Sequence, residues 1–214
     1  DECLAVAADA NGNTYAAGYF SGTTDFGGTN LTSNGGEDVF VAKFDAAQNL
    51  IWLRQIGGTN DERANALALD EAGNLIIVGQ FTATADFGGT NLTSFGSNDV
   101  FVTKLDNAGT LLWVRQAGGT GDDFARSVAV HTNGDIALTG SFQRIADFGG
   151  ISVTNRILAN APSGDVFVAR YDSNGQLVWV KGAGGTSDDR ARSVAFDRAG
   201  NVLVAGGFST SITF

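Results

Sequence analysis

Methionine is absent from the chain, and cysteine, histidine and proline occur once each among its 214 residues. A natural chain opens on Met, so a processed, excised or engineered product is expected. A lone Cys allows no internal disulfide and no cysteine-rich zinc site. A single Pro beside 30 Gly excludes a disordered Pro/Gly segment. Basic side chains are scarce: 13 Lys and Arg stand against 23 Asp and Glu, for a formal net charge of −10. Nucleic acids and anionic membrane surfaces are both recognised by clustered cations, so neither is an expected partner. No apolar run approaches the ~20 residues of a spanning helix, so membrane insertion is not expected, and no signal peptide is read at Asp1.

What the chain has is glycine, 15 phenylalanines and a repeat. The nine residues DFGGTNLTS at 25–33 recur unchanged at 86–94, and DFGG returns at Asp147, two steps of 61 residues each. A fixed period of this size means stacked copies of one supersecondary unit. Trp52, Trp113 and Trp179 fall in register, as do Asp38, Asp99 and Asp165; the last step is 66 because the third copy carries five extra residues near Ile151–Gly164.

Each copy contains four strand candidates. In the second they are 64–69, 74–81, 99–105 and 111–117, with Asp-x-x-Gly turns at 70–73 and 106–109 and a long loop over 82–98. Gly supplies positive φ in such turns. No helical period is present. The strands are apolar on both faces, which requires sheet packed against sheet on either side. Four-stranded antiparallel sheets stacked in this way are the blades of a β-propeller. The chain therefore reads as an all-β propeller segment of about 3.5 blades, at 1–57, 62–118, 123–184 and a half blade at 188–214. The Ala-rich first strand is innermost and the Trp-bearing fourth strand outermost. The half blade leaves an open edge, so either a longer propeller or self-association through open blade edges is expected.

The pattern D-x-x-G-N-x-x-x-x-G-x-F, then D-F, then D-V-F-V-x-K-x-D-x-x-G stands here as Asp70, Gly73, Asn74, Gly79, Phe81, Asp86, Phe87, Asp99 to Val102, Lys104, Asp106 and Gly109. It resembles the bacterial SBBP repeat, named for a seven-bladed β-propeller, and its layout is similar to NHL-type propellers. Gln48, where the outer turn has no Gly, and His131 depart from the pattern. The resemblance implies a secreted or cell-surface bacterial module that binds or assembles, rather than an enzyme.

Acidic pairs follow each Gly-Gly-Thr: Asp61 and Glu62, Asp122 and Asp123, Asp188 and Asp189. Topology puts these connections on the same rim as the loops between second and third strands. Such carboxylates would suit Ca²⁺, which takes six to eight oxygens; the competing reading is that they accept backbone N–H bonds or pair with Arg63, Arg126, Arg190 and Arg192. His131 reads as a turn residue and Cys3 as a buried, inert thiol on the inner strand. The tryptophans read as inter-blade packing, with sugar stacking as the alternative. Asn30-Leu-Thr32 and Asn91-Leu-Thr93 are glycosylation sequons in exposed loops. No catalytic constellation is present. Residues common to every copy serve the blade, so a localised function belongs where copies differ, and the insert with Asn155, Arg156 and Pro162 is the leading ligand-binding candidate. The expected function is a non-catalytic protein-interaction or assembly module. A carbohydrate-binding propeller, with or without Ca²⁺, is the alternative, and an enzyme with its catalytic residues in other blades the third reading.

Overall fold

The computed structural model describes residues 1–155 and 163–209. All of its regular structure is β. The first unit is β1 (Glu2–Ala8), β2 (Thr14–Asp25), β3 (Asn30–Phe44) and β4 (Leu50–Gly58). The second begins with β5 (Glu62–Leu69) and β6 (Leu75–Phe81), passes through a short hairpin of β7 (Thr84–Asp86) and β8 (Asn91–Thr93), and ends with β9 (Asp99–Leu105) and β10 (Leu111–Gly119). The third repeats this plan: β11 (Phe124–Val130), β12 (Ile136–Phe142), the hairpin β13 (Ile145–Asp147) and β14 (Ser152–Thr154), then β15 (Asp165–Tyr171) and β16 (Leu177–Ala183). β17 (Arg190–Phe196) and β18 (Val202–Gly207) form a two-stranded sheet. Within each unit neighbouring strands are antiparallel in the order inner to outer, as in a propeller blade.

The two-faced strands pack as expected. Leu75 and Ile77 of β6 face the first unit, in one core with Tyr15, Val39, Val41 and Trp52. Ile76 and Val78 of the same strand face the third, in a core with Val128, Ile136, Leu138 and Phe167. Every residue of β6 and β9 is buried. Because alternate residues serve different interfaces, a polar substitution on either face opens a seam between two units.

The loop expected at 82–98 proves to be a strand pair with a different partner. β7 leaves its own unit and pairs with β4 of the preceding one, Gly57 opposite Asp86 and Gly58 opposite Ala85. β13 pairs with β10 in the same way. Asp86 organises the turn, its Oδ1 accepting from Gly88 N at 3.0 Å and Gly89 N at 2.6 Å. Thr84 and Thr93 share a hydroxyl hydrogen bond across the hairpin. Phe87 anchors the tip, edge-on to Phe81 and Phe101. At 86–94 DFGGTNLTS is therefore a clasp between units, whereas the same nine residues at 25–33 close the β2–β3 hairpin of the first unit. Its Gly-, Thr- and Asn-rich composition hides it as a loop, because three-residue strands carry no readable alternation.

A second tie crosses each junction. Trp52 Nε1 donates to Asn107 O at 3.0 Å, and Arg54 Nε to Gly109 O at 2.9 Å. Trp113 and Arg115 repeat this toward Ser173 O and Gly175 O. These indoles are occupied by inter-unit packing rather than displayed for stacking on a sugar. The outer Asp-x-x-Gly turn thus accepts from the neighbouring unit as well as closing its own hairpin. At Gln48 the turn keeps a left-handed backbone, φ 67°, without glycine.

Two expectations need adjustment. Cys3 is exposed, not buried; its equivalents Ala64, Ala125 and Ala191 are buried because each faces the unit that precedes it. Asp38, Asp99 and Asp165, which open the third strands in the loops expected on the acidic rim, lie beneath the surface.

Candidate functional site

The rim that carries the unit-to-unit connections also carries residues 34–38 of β3 and the loops at 95–98 and 163–164. Sharp Gly-Gly-Thr connections bring the acidic pairs there, and the two members of each pair separate in depth. Asp61, Asp122 and Asp188 stay at the rim. Asp61 Oδ1 accepts from Glu37 N at 3.0 Å, Asp122 Oδ1 from Asn98 Nδ2 at 2.8 Å, and Asp188 Oδ1 from Gly164 N at 3.0 Å. Glu62, Asp123 and Asp189 are buried, each accepting a backbone N–H from its own connection: Gly58 at 2.7 Å, Gly119 at 2.8 Å and Gly185 at 2.9 Å. Arg63 and Arg190 pair with Glu37 and Asp188. Among the described residues no group of three or more His, Cys, Asp or Glu side chains is arranged to hold a metal.

Beneath the rim the acids come in twos. Asp38 Oδ2 accepts from Gln55 Nε2 at 2.7 Å, and Asp99 Oδ2 from Gln116 Nε2 at 2.6 Å and Phe95 N at 2.9 Å. The other oxygens, Asp38 Oδ1 and Asp99 Oδ1, and Oε1 of Glu62, have no hydrogen-bond partner among the described residues. Burial pushes Glu62 up to about 7, helped by the negative charge of Asp38 and Asp61. Burial likewise pushes Asp123 up to about 7, with Asp99 and Asp122 adding to the effect. Asp38 and Asp99 are also raised, by burial. Two carboxyl groups in one desolvated place favour holding a proton over carrying two charges.

Of the three candidates in the insert, Asn155 is among the described residues. Asn155 donates its Nδ2 to Phe142 O and Ser163 O, and its N–H to Arg144 O at 2.7 Å, so it fastens the base of the loop. Arg156 and Pro162 lie outside the described residues. His131 occupies its turn as expected. The carboxylate that Asp70 uses there, accepting from Ala72 N and Asn74 N, is replaced by Asn133, whose Oδ1 accepts from Asp135 N at 3.0 Å. The sequon residues Asn30 and Asn91 are exposed.

The criterion of difference between copies also singles out residues that sequence reading passed over. Phe95 stands where the first copy has Asn34, and Ile145 where the others have Thr23 and Thr84. Both are displayed: Phe95 is 60% exposed and Ile145 56%. They line an open groove of about 710 Å³ with Gly118, Gly119, Thr120 and Asp147. The backbone under Phe95 is fixed by Asp99, and Ile145 sits on the clasp hairpin, so the groove has a rigid floor on two units. Arg144 lies at its edge at φ 60°, a backbone position that Gly22 and Ala83 occupy in the other copies.

A second cleft, of about 530 Å³, lies between the third unit and the β17–β18 pair, lined by Val166, Val168, Trp179, Val204 and Phe208 among others. Among the described residues β18 pairs only with β17.

No known family model matches the chain. It is 28% identical over 197 residues to an uncharacterized WD repeat-containing protein of Acanthamoeba polyphaga mimivirus, a match covering 86% of this chain and 14% of that protein. It is 35% identical over 116 residues, 54% of this chain, to the regulatory protein FlaEY of Caulobacter vibrioides, covering 12% of that protein. The chain thus spans about one-seventh or less of the length of the curated relatives it matches. With the stacked four-stranded sheets, the WD-repeat likeness makes this a propeller-like repeat protein.

Proposed function

We propose that the chain is a 3.5-blade segment of a β-propeller and serves as a non-catalytic protein-interaction module, displayed outside the cell or at the bacterial surface. The observation that carries the interaction reading is the groove of Phe95 and Ile145. Two large apolar side chains are held in water, at positions where other copies have Asn and Thr, and no packing need of the unit accounts for them. Fully burying a Phe or Ile is worth about 1.5–3 kcal/mol, so covering these partly exposed groups supplies a useful part of a binding energy. The groove is lined by both Arg144 and Asp147, which favours a partner that presents an apolar side chain flanked by polar groups of either sign. The names of the two relatives, one a WD-repeat protein and one a regulatory protein, support interaction over catalysis. The resemblance to SBBP repeats supports the surface location. The non-catalytic reading draws on the shared residues, which are spent on clasps, turns and inter-unit hydrogen bonds.

The test places a photo-crosslinking amino acid at position 95 in the producing cell and identifies the captured protein. Binding of that purified protein is then measured with wild-type chain and with Phe95→Ser. The expected result is at least a tenfold weaker affinity with an unchanged melting temperature, because Phe95 is exposed. Capture of nothing specific, or wild-type affinity in the variant, refutes the reading.

A further inference from the structure

Each first strand carries a bulge at the same place. Pairing skips one residue between Cys3 and Ala5, Ala64 and Ala66, Ala125 and Ser127, and Ala191 and Ser193. The residues left out are Leu4, Asn65, Arg126 and Arg192. A bulge frees its residue from the alternation of the sheet and re-aims its side chain. Three residue types at four equivalent places in an otherwise repetitive strand show that the unit itself demands no particular chemistry there.

In the last two units that freedom is used for the same cation twice. Arg126, Arg192 and Arg190 surround one pocket of about 340 Å³ on the inner strands β11 and β17. Arg190 has a partner, its Nε donating to Asp188 Oδ2 at 2.6 Å. Arg126 lies over the ring of Phe124, 5.0 Å from its centroid. Among the described residues neither Arg126 nor Arg192 donates a hydrogen bond to, or makes an ion pair with, any carboxylate. Burial and the charges of Arg190 and Arg192 pull Arg126 below the usual guanidinium range. In a chain of net charge −10, three of 13 basic residues therefore face one another with a single acid among them.

We propose that Arg126 and Arg192, assisted by Arg190, form a binding site for an oxyanion group, a phosphate or a carboxylate of a small ligand or of a partner. Two guanidinium forks on adjacent strands can each present paired N–H donors to such a group, and the anion removes the mutual repulsion of the arginines. The site is distinct from the rim groove and stands whether or not that groove binds a protein.

The test is thermal unfolding of the whole chain in sodium phosphate, sodium citrate and sodium chloride at equal ionic strength, followed by calorimetric titration with whichever anion acts. A ligand that binds only the folded state raises its stability. Phosphate, citrate or both are expected to raise the melting temperature above the chloride value, and the difference between them tells phosphate from carboxylate preference. Arg126→Gln with Arg192→Gln is expected to lose the anion increment and weaken the titrated affinity at least tenfold. Its melting temperature in chloride should be unchanged or higher, since Asn65 shows that an amide is accommodated at this bulge. Phosphate and citrate also stabilise folded proteins generally by exclusion from the surface, so the site is read from the increment that the double variant loses: equal responses of wild type and double variant, or no titratable binding, overturn the proposal.

Discussion

Replacing Glu62 by Gln should stabilise the protein in alkaline solution and do little in acid. Glu62 is 0% exposed, with one oxygen accepting from Gly58 N–H and the other without a partner beside buried Asp38. Its carboxyl is raised from 4.5 to about 7. Below about 4.5 the group is protonated folded and unfolded and contributes no penalty. Between the two values only the folded state keeps the proton, so stability falls as pH rises, and above about 7 the whole cost is present. A displacement of this size corresponds to about 3 kcal/mol, which water penetration near the rim reduces to about 2 kcal/mol. Gln carries no charge at any pH. Its carbonyl can keep the Gly58 hydrogen bond. Urea unfolding of both proteins at pH 5, 6, 7 and 8 checks this: the curves should nearly coincide at pH 5 and separate by about 2 kcal/mol at pH 8, or roughly 4–8 °C in melting temperature. A constant difference across this range would refute the reasoning. Carboxylates that sit low, such as Asp9, Asp45 and Asp197 with their Asn hydrogen bonds, lose their contribution only as pH falls below about 3.8, so they do not confuse the window.

Two further outcomes follow from the same geometry. His131→Asp should not raise stability, measured by urea unfolding at neutral pH, because the new carboxylate would stand against Asp135 where Asp70 has the donor Asn74; a gain of about 1 kcal/mol would mean that the regained backbone N–H bonds outweigh that repulsion. Adding Ca²⁺ in place of a chelator should leave the melting temperature unchanged, because the rim acids already accept N–H donors, which repel a cation; a rise of several degrees would instead assign a metal to them.

Much of the architecture was legible because the period aligns residues whose roles must agree. Equivalent tryptophans could only be equivalent contacts, and strands apolar on both faces could only lie between sheets. The clasp was not legible. Thr84, Asp86, Asn91 and Thr93 carry no apolar alternation, and the partner that makes them strands is the backbone edge of β4, which no side-chain pattern advertises. The depth of the acids was hidden for a related reason. Asp61 and Glu62 are neighbours in sequence, yet the turn into β5 leaves one at the rim and sends the other into the core, where a backbone N–H holds it.

The candidate sites were harder because the informative signal is a departure from the repeat, and most departures are drift. Drift leaves single, scattered changes that the local environment absorbs. At the insert it does so: Asn155 spends its amide on the chain's own carbonyls. Phe95 and Ile145 differ because two apolar changes, 50 residues apart in sequence, meet in one groove across a junction of units. Arg126 and Arg192 differ for the same reason, since their charges repel and the fold gains nothing from placing them together. Coincident departures that cost stability or solubility, and that the unit does not need, are where something outside the unit is expected to make up the difference. The bulge makes the second case the cleaner one. Its residue stands outside the hydrogen-bond ladder, so the anion test can remove both charges without touching the sheet.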